Sequence, residues 1–371
     1  MGDATASTTA AVLLSILQES LGRVTTILFA YRLGTSLEPE CKMYRLLADV
    51  FNDTAMILEC LSPAFSKPIR VTILATSSAL KALCGVAAGS SKASLSAHFA
   101  RWGNLGELNA KDSSQETVIS LLGMFAGSVV VSMVKTPIAT WTTLMLLLSI
   151  HLGMNYRAVR AVSMRSLNRQ RANIVFAHLQ AHDKVLTPSQ VSQKERVFER
   201  DGAMRSITGD VMGWCRIGVS FRQLVESIDG GSVSSGSNAS IKVGSDFLNR
   251  LLDIFKPDRA RYIIWVDVEA SRCWIVLRQG LTVCEQIKAW YTAFVAMRQL
   301  LTENGQHVTR NTISTRVERD QTADRTLKTL ERVHTDVQVH FNMIEQRLRQ
   351  AGWDLETAAL ETHSGTRVAN S

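Results

Sequence analysis

Cysteine is scarce and widely scattered in this chain of 371 residues. The six cysteines form no C-x-x-C pair and stand at positions 41, 60, 84, 215, 273 and 284. A disulfide framework or a zinc ribbon needs a closer, patterned spacing, so both are excluded. We therefore expect reduced thiols in an intracellular protein.

Motifs that mark common active sites are also missing. The chain has no G-x-S-x-G and no G-x-G-x-x-G, and "AGSSK" at 88–92 is not a complete phosphate-binding loop. His178 and His182 stand four residues apart, but the glutamate of H-E-x-x-H and a third metal ligand are missing. We predict that the chain is not an enzyme and holds neither a metal nor a resident cofactor.

The first residues show none of the usual targeting patterns. Ala6 stands where a myristoylation signal needs Ser or Thr. Neither a basic signal-peptide region nor an arginine-rich transit peptide is recognisable. The sequence therefore does not indicate a particular organelle.

Long apolar segments occupy the first 156 residues, over 4–33, 71–89, 118–134 and 138–156. The last two each have about the 17–20 residues that a helix needs to cross a bilayer, and 118–134 has no charge. Gly123 and Gly127 form a G-x-x-x-G pattern, which lets another helix approach closely. Two such segments in tandem favour an antiparallel pair of membrane helices. The alternative is a buried hairpin in a large soluble bundle.

Positive charge is distributed unevenly around these segments. The chain has a formal net charge of +8. Five arginines lie within 157–171, whereas Lys135 is the only charged residue between the last two apolar segments. This asymmetry follows the positive-inside rule and puts the chain after Tyr156 on the cytoplasmic or matrix-like side. The arginines lack interleaved aromatics and a recognised binding module, so we predict no nucleic-acid partner.

The stretch "LADVFNDTAMILECLSP" at 47–63 places strongly polar residues among apolar ones. On a helix, the polar residues of this region fall within about 120° of one another. This polar stripe consists of Lys42, Arg45, Asp49, Asn52, Asp53 and Glu59. It is either the solvated face of a surface helix or an inward-facing stripe in a membrane bundle, where ionisable groups are costly and usually functional.

Isolated charges in the neighbouring apolar segments favour the inward-facing stripe. Glu19, Arg23 and Lys81 need partners of opposite charge. We expect Asp49, Asn52 and Asp53 to point into the helical bundle, near basic groups such as Arg45, Arg23 or Lys81. With a polar group at 111–116, the candidate site comprises Arg23, Arg45, Asp49, Asn52, Asp53, Glu59, Lys81, Lys111, Asp112, Gln115 and Glu116.

Shorter elements are predicted after residue 157. They are a short helix starting at Thr187-Pro188, a strand at 211–221, a hairpin of 262–268 with 273–280, and an amphipathic helix at 282–301. A flexible Gly/Ser-rich loop, 229–240, contains the sequon at Asn238. The predicted topology puts that sequon on the wrong side for glycosylation.

A last helix is predicted from about Thr315 to Gln350. Its apolar residues follow a heptad spacing: Ala323, Leu327, Leu330, Val337, Phe341, Ile344 and Leu348, with His334 in the row. We expect this side to dock on the α+β module, with Trp353 as an anchor, or alternatively on its copy in a dimer.

The predicted fold is mainly α with a small α+β part. An N-terminal membrane-type helical bundle covers 1–165, a small α+β module covers 166–305, and a C-terminal amphipathic helix with its tail covers 306–371.

Four stretches occur in an order that indicates a family. They are "LGRVTTILFAYRLGTSLEPECKMYRLLADVFNDTAMILECLSP" at 21–63, "AKDSSQET" at 110–117, "SIHLGMNYRAVRAVSMRSLNRQR" at 149–171 and "AGWDLE" at 351–356. The chain resembles the root UVB-sensitive (RUS) family, also called the DUF647 family, over nearly its whole length. Family members usually carry a further upstream segment, so we expect this chain to be N-terminally short. Glu107 stands where an aspartate is more usual.

The resemblance implies a membrane-associated protein, linked in plants to plastids, UV-B responses in roots, early seedling development, auxin transport and vitamin B6 homeostasis. It implies no reaction or ligand. Our first hypothesis is a transporter- or carrier-like protein that uses the polar stripe. The alternative is a membrane scaffold that acts through its α+β module. We expect the chain to lie in an intracellular membrane, in contact with the lipid bilayer. We also expect a protein partner, or a second copy of the chain, to bind at the C-terminal region.

The predicted topology can be tested by cysteine labelling in sealed vesicles. In a background without native cysteines, a reagent on one side should reach Lys135→Cys but not Arg160→Cys, because one membrane span separates the two positions. Equal labelling of both positions from one side would exclude this topology.

Overall fold

The structure is a computed structural model that describes residues 8–100, 103–228, 245–305 and 316–369. It divides into two compact units, residues 1–162 and 163–371. The first is made of long helices, and the second combines helices with a small mixed sheet. The predicted fold class, mainly α with a small α+β part, is confirmed. The predicted loop at 229–240, with Asn238, lies outside the described residues.

Each apolar segment of the first unit forms a helix. The long helices are α1 (Thr8–Leu33), α2 (Cys41–Leu61), α3 (Lys67–Phe99), α4 (Leu105–Met133) and α5 (Pro137–Ala161). Pro137 occupies the first turn of α5, where no backbone donor is needed. The Thr136 hydroxyl caps this helix by accepting a hydrogen bond from Ala139 N at 3.2 Å.

Helix α3 is the centre of the bundle, because α1 and α2 both pack against it. The rings of Phe29 and Tyr44 contact edge to face, with centroids 6.0 Å apart. Ala48 and Ala87 are fully buried in the same small core. Small side chains at this crossing let the helix backbones approach each other.

The outer surface of the first unit is strongly apolar. Every side chain of α4 from 118 to 133 is exposed, although none of them is charged. In the described part of the chain, four helical segments are long and apolar enough to cross a membrane: Val12–Ser36, Lys67–Phe99, Leu105–Met133 and Pro137–Ala161. Exposed apolar surface of this extent fits a hydrocarbon medium better than water.

The expected packing of α4 along α5 is wrong. Helix α4 contacts α3, whereas α5 packs against α2. Val134 and Thr136 have extended backbones, so the connection does not fold α5 back onto α4. No neighbouring helix of the described residues comes within 4 Å of a Cβ built at Gly123 or Gly127. Two apolar helices gain little from each other when their medium is equally apolar.

The second unit contains shorter elements. Its helices are α6 (Arg169–His182), α7 (Pro188–Lys194), α8 (Phe221–Ile228), α9 (Ser245–Ile254), α10 (Val283–Gly305) and α11 (Arg316–Gln350). Its strands are β1 (Ala203–Arg205), β2 (Val211–Ile217), β3 (Tyr262–Asp267), β4 (Arg272–Arg278) and β5 (Arg367–Val368). The predicted hairpin and both predicted helices are confirmed, and a capping box at Thr187 starts α7. The strand predicted at 211–221 forms but ends at Ile217, and Phe221 begins α8.

The strands pair in the order β1-β2-β4-β3, with β5 also on β4. β3 and β4 are antiparallel, with Ile264 opposite Ile275, whereas β2 and β4 are parallel. Helix α10 packs against β2, β3 and β4. Its fully buried Trp290 donates a hydrogen bond from Nε1 to Asn173 Oδ1 on α6 at 2.9 Å. The sheet, α6 and α10 therefore share one core.

Helix α11 packs within the second unit, so the predicted docking on the α+β module is confirmed. It contacts α10 and α9. Every residue of the predicted row except Ala323 is buried, and Ala323 packs against the same core. Trp353 is also buried and donates from Nε1 to Leu186 O at 2.8 Å. This tryptophan fastens the chain that follows α11.

His334 on α11 is a titratable group in this core and is 3% exposed. Its ring lies against Phe255, with centroids 4.8 Å apart, and its Nδ1 is 3.5 Å from the Tyr262 hydroxyl. Burial, together with the positive charges of Lys288 and Arg259, lowers the pKa of His334 to about 4. The imidazole is therefore neutral at pH 7.

This pKa predicts that acid destabilises the second unit. Between about pH 6.5 and pH 4 the unfolded chain binds a proton at His334 that the folded chain does not, so stability falls as the pH falls. The contribution of His334 to the free energy of unfolding should decrease by about 2 kcal/mol when the pH falls from 7 to 5. Thermal unfolding followed by tryptophan fluorescence measures it, because five of the seven tryptophans lie after residue 162.

His334→Gln should lose correspondingly less stability than the wild type over this pH range. The control is His340→Gln, since His340 is an exposed histidine on the same helix. Equal pH dependence in the wild type and His334→Gln would contradict the assignment.

Candidate functional site

Asp53 is the deeply buried carboxylate of the polar stripe and is 3% exposed. Its Oδ2 lies 2.9 Å from Nδ1 of His151 on α5. With Nδ1 protonated, the imidazole donates this hydrogen bond and links α2 to α5. Asn155, one turn further along α5, donates from Nδ2 to the His151 carbonyl at 3.1 Å. A carboxylate–imidazole pair therefore bridges two helices of the bundle.

Asp49 lies one turn before Asp53 and is half-buried. Arg45, His151 and Asp53 are its titratable neighbours. Asp49 Oδ2 and Asp53 Oδ1 are both buried, and neither accepts a hydrogen bond from the described residues. Leaving a buried carboxylate oxygen without a donor is costly, so each of these atoms calls for a donor other than the described residues. The two carboxylates offer acceptors to a proton, a cation or a hydrogen-bond donor.

A second polar cluster joins α2 to α3. Glu59 Oε1 lies 2.6 Å from Lys81 Nζ. Ser77, which is fully buried, donates from Oγ to Glu59 Oε1 at 2.7 Å. Lys81 therefore has a carboxylate partner, but this partner is Glu59 and not the predicted Asp49 or Asp53.

A third cluster joins α3 to α4. Lys92 Nζ lies 2.8 Å from Asp112 Oδ2 and 2.7 Å from Glu116 Oε2. Lys111 instead pairs with Glu107 on its own helix at 2.6 Å. Gln115 is exposed. The polar group predicted at 111–116 is thus divided between a link to α3 and the surface of α4.

Two residues of the candidate site stand apart from these clusters. Arg23 pairs with Glu19 at 3.6 Å, and both side chains are largely exposed. Arg23 is not a partner of Asp53, because α1 packs against α3 and not along the carboxylates of α2. Asn52 is half-buried and donates from Nδ2 to Met56 Sδ on its own helix at 3.6 Å.

The sequence analysis missed His151 and Lys92 as site residues. His151 is an isolated titratable group in the apolar segment 138–156, which is the signal that singled out Lys81, and it belongs to the motif "SIHLGMNY". Applying the same criterion to every apolar segment would have identified His151. Lys92 lies just after the segment 71–89, so this criterion does not mark it.

The paired histidines of α6 show no metal site. The rings of His178 and His182 are 4.7 Å apart at their centroids, and His178 Nδ1 lies 2.9 Å from Lys184 O. Among the described residues, no three His, Cys, Asp or Glu side chains come together as a set of metal ligands.

Comparison with known proteins identifies two domains of one family. Residues 1–183 match the "Vitamin B6 photo-protection and homoeostasis domain", which contains Asp53 and His151. Residues 184–364 match the "Root UVB sensitive protein, C-terminal" domain. No solved structure matches the chain.

Individual relatives carry the same family name. "RUS family member 1" of Dictyostelium discoideum is 36% identical over 202 residues, which cover 53% of this chain and 38% of the relative. "Protein root UVB sensitive 3" of Arabidopsis thaliana is 34% identical over 199 residues, which cover 53% of this chain and 45% of the relative. A further relative is "Protein root UVB sensitive 2, chloroplastic" of Arabidopsis thaliana. It is 27% identical over 169 residues, which cover 45% of this chain and 39% of the relative.

The aligned regions thus span less than half the length of each of these relatives. The two matched domains nonetheless cover nearly all of this chain, in the order in which their motifs occur. The chain belongs to the root UVB-sensitive family.

Proposed function

We propose that this chain is a carrier-like protein of an intracellular membrane, and that the Asp53–His151 pair with Asp49 is its working site. One observation carries the proposal: a buried carboxylate pairs with an imidazole across α2 and α5, in a bundle whose apolar helices are long enough to span a bilayer. Ionisable groups in such surroundings are costly, and where they persist they usually line a path for a proton, an ion or a polar solute.

The pair has suitable chemistry for such a path. A histidine and an aspartate 2.9 Å apart can share or pass a proton, and the free oxygens of Asp49 and Asp53 can accept hydrogen bonds from a solute. The two partners also stand on different helices, so a change in the protonation of His151 alters the link between α2 and α5. In this proposal, binding of a solute at the pair is coupled to movement of α2 relative to α5.

The domain description suggests which solute to test. The matched domain, which contains the pair, carries the description "Vitamin B6 photo-protection and homoeostasis domain". We extend the proposal to the small, polar vitamers of B6 as solutes. No catalytic step is part of it.

The second candidate is a scaffold that acts through the second unit. The extensive core of that unit, with α11 docked on α10, supports a rigid module able to present a surface to a partner. In that case the polar pair stabilises the bundle and takes no part in function.

Stability variants test how the pair is held. Asp53→Ala should destabilise the first unit by about 1–3 kcal/mol, because it removes a hydrogen bond to a charged group and leaves His151 without its partner. Asp53→Asn keeps the volume and one acceptor, so its loss should be smaller. Asp112→Ala, at an exposed pair, should stay within about 0.5 kcal/mol. Thermal unfolding in detergent measures all three, and equal effects of Asp53→Ala and Asp112→Ala would refute the structural role of the pair.

Transport assays test the proposed function. The full chain in liposomes should take up radiolabelled pyridoxine or pyridoxal faster than empty liposomes do, and a pH gradient should change the rate. Asp53→Asn and His151→Gln should reduce uptake at least about tenfold, as expected when one charge-assisted hydrogen bond in a pathway is lost.

The matched control for these assays is Asp112→Asn, which makes the same chemical change at an exposed ion pair. It should leave uptake unchanged. Absence of uptake by the wild type would refute a carrier for these solutes. Uptake that Asp53→Asn and His151→Gln do not change would remove the pair from the pathway.

A further inference from the structure

A pocket of about 200 Å³ lies in the second unit, between α6, the end of α7 and the turn from β1 to β2. A dry apolar cavity of about 150 Å³ is large enough for benzene. The pocket therefore has room for one ring with a substituent, but not for a dinucleotide. Nothing in the carrier proposal depends on it.

The inner surface of the pocket is apolar. Ile174 and Ala177 contribute from α6, Leu186 from the chain before α7, and Ile207 from the β1–β2 turn. Ala177 and Leu186 are buried, whereas Ile207 is half exposed at the opening. A planar, apolar ring can lie against these side chains.

Positively charged side chains also line the pocket. Lys194, Arg196 and Arg205 do so together with polar residues such as Asn173, His178 and Thr208, and no aspartate or glutamate is among the described residues of the lining. Arg205 is already held by Glu199, with Nε 2.6 Å from Oε2. Glu199 also attracts Arg196 at longer range, but Arg196 makes no side-chain ion pair within 4.0 Å in the described part of the chain. Lys194 has no ion pair among those residues. Lys194 and Arg196 remain able to bind an anion.

The walls of the pocket are rigid. Gln170 on α6 donates from Nε2 to Arg196 O at 3.0 Å and accepts from Arg196 N, so the backbone that carries Arg196 is fixed. On the other wall, Arg205 donates to Gly209 O at 2.7 Å and closes the β1–β2 turn. The nearby carboxylate of Asp210 already accepts from the Thr208 hydroxyl at 2.6 Å. A preformed site of this kind binds without first being ordered.

We propose that this pocket binds a small single-ring molecule that carries an anionic group, a phosphate or a carboxylate. The ring lies on the apolar surface of Ile174, Ala177 and Leu186, and the anion is bound by Lys194 and Arg196. Charge-assisted hydrogen bonds fix its orientation.

Four probes test each part of this proposal on the full chain in lipid nanodiscs. Phenyl phosphate and benzoate each combine a ring with an anion, benzyl alcohol is a neutral ring, and inorganic phosphate is an anion without a ring. Saturation-transfer NMR titrations give their affinities. At least one aromatic anion should bind at least about tenfold more tightly than benzyl alcohol and inorganic phosphate, and whichever of the two binds more tightly identifies the anionic group.

The double variant Lys194→Gln, Arg196→Gln should weaken binding of the aromatic anion at least about tenfold. The control is the double variant Arg222→Gln, Lys256→Gln, which makes the same net charge change at exposed positions of the same unit. It should leave affinity unchanged. Ile207→Trp should also weaken binding, because the larger ring enters the pocket from its half-exposed rim.

Three outcomes would overturn the proposal. The first is no binding of either aromatic anion. The second is equal affinity for benzyl alcohol, which would remove the anionic group from recognition. The third is an equal loss of affinity in the two double variants, which would show that the anion responds to the net positive charge of the unit and not to Lys194 and Arg196 in particular.

Discussion

A helix that is apolar on every side is stable only where its medium is apolar as well. This constraint governs the whole first unit, since α4 buries none of its side chains and still carries no charge from 118 to 133. In a lipid medium apolar contact would not select which helices pair, because lipid would serve each surface equally well. Polar groups do join particular helices of this unit. Asp53–His151 joins α2 to α5, Glu59–Lys81 joins α2 to α3, and Lys92 with Asp112 joins α3 to α4.

The second unit is stabilised by the opposite principle. Its sheet, α10 and α11 remove a continuous set of apolar side chains from water, including Trp290 and Phe294. Two buried tryptophans of this core are satisfied locally: Trp290 donates to Asn173, and Trp353 donates to Leu186 O. A core of this type needs water outside it, because the hydrophobic effect drives its formation. The two units therefore differ in where their apolar side chains lie: the first exposes them along its long helices, and the second buries them in one core.

The sequence predicts what depends on local order. Periodicity located α2, and the heptad row on α11 indicated its buried side, because each pattern repeats within a few turns. Pairing between distant elements does not follow from such patterns. His151 lies 98 residues from Asp53, and neither residue's neighbours in sequence indicate the other. The two-residue strand β5 was missed for the same reason, since only its pairing with β4 defines it.

Burial separates residues that look equivalent in the sequence. Asp53 and Asp112 are both aspartates in motifs shared with the family, and each has a basic partner within 3 Å. The Asp112 side chain is 45% exposed, so water screens its attraction to Lys92 and can replace Lys92 as its partner. The Asp53 side chain is 4% exposed, whereas that of its partner His151 is 41% exposed, so burial is confined to the carboxylate of this pair. Loss of the Asp53–His151 hydrogen bond therefore removes the contact of a buried carboxylate between two helices, whereas loss of the Asp112 pair leaves a carboxylate that is already largely exposed. The proposed site between α2 and α5 rests on this difference in burial.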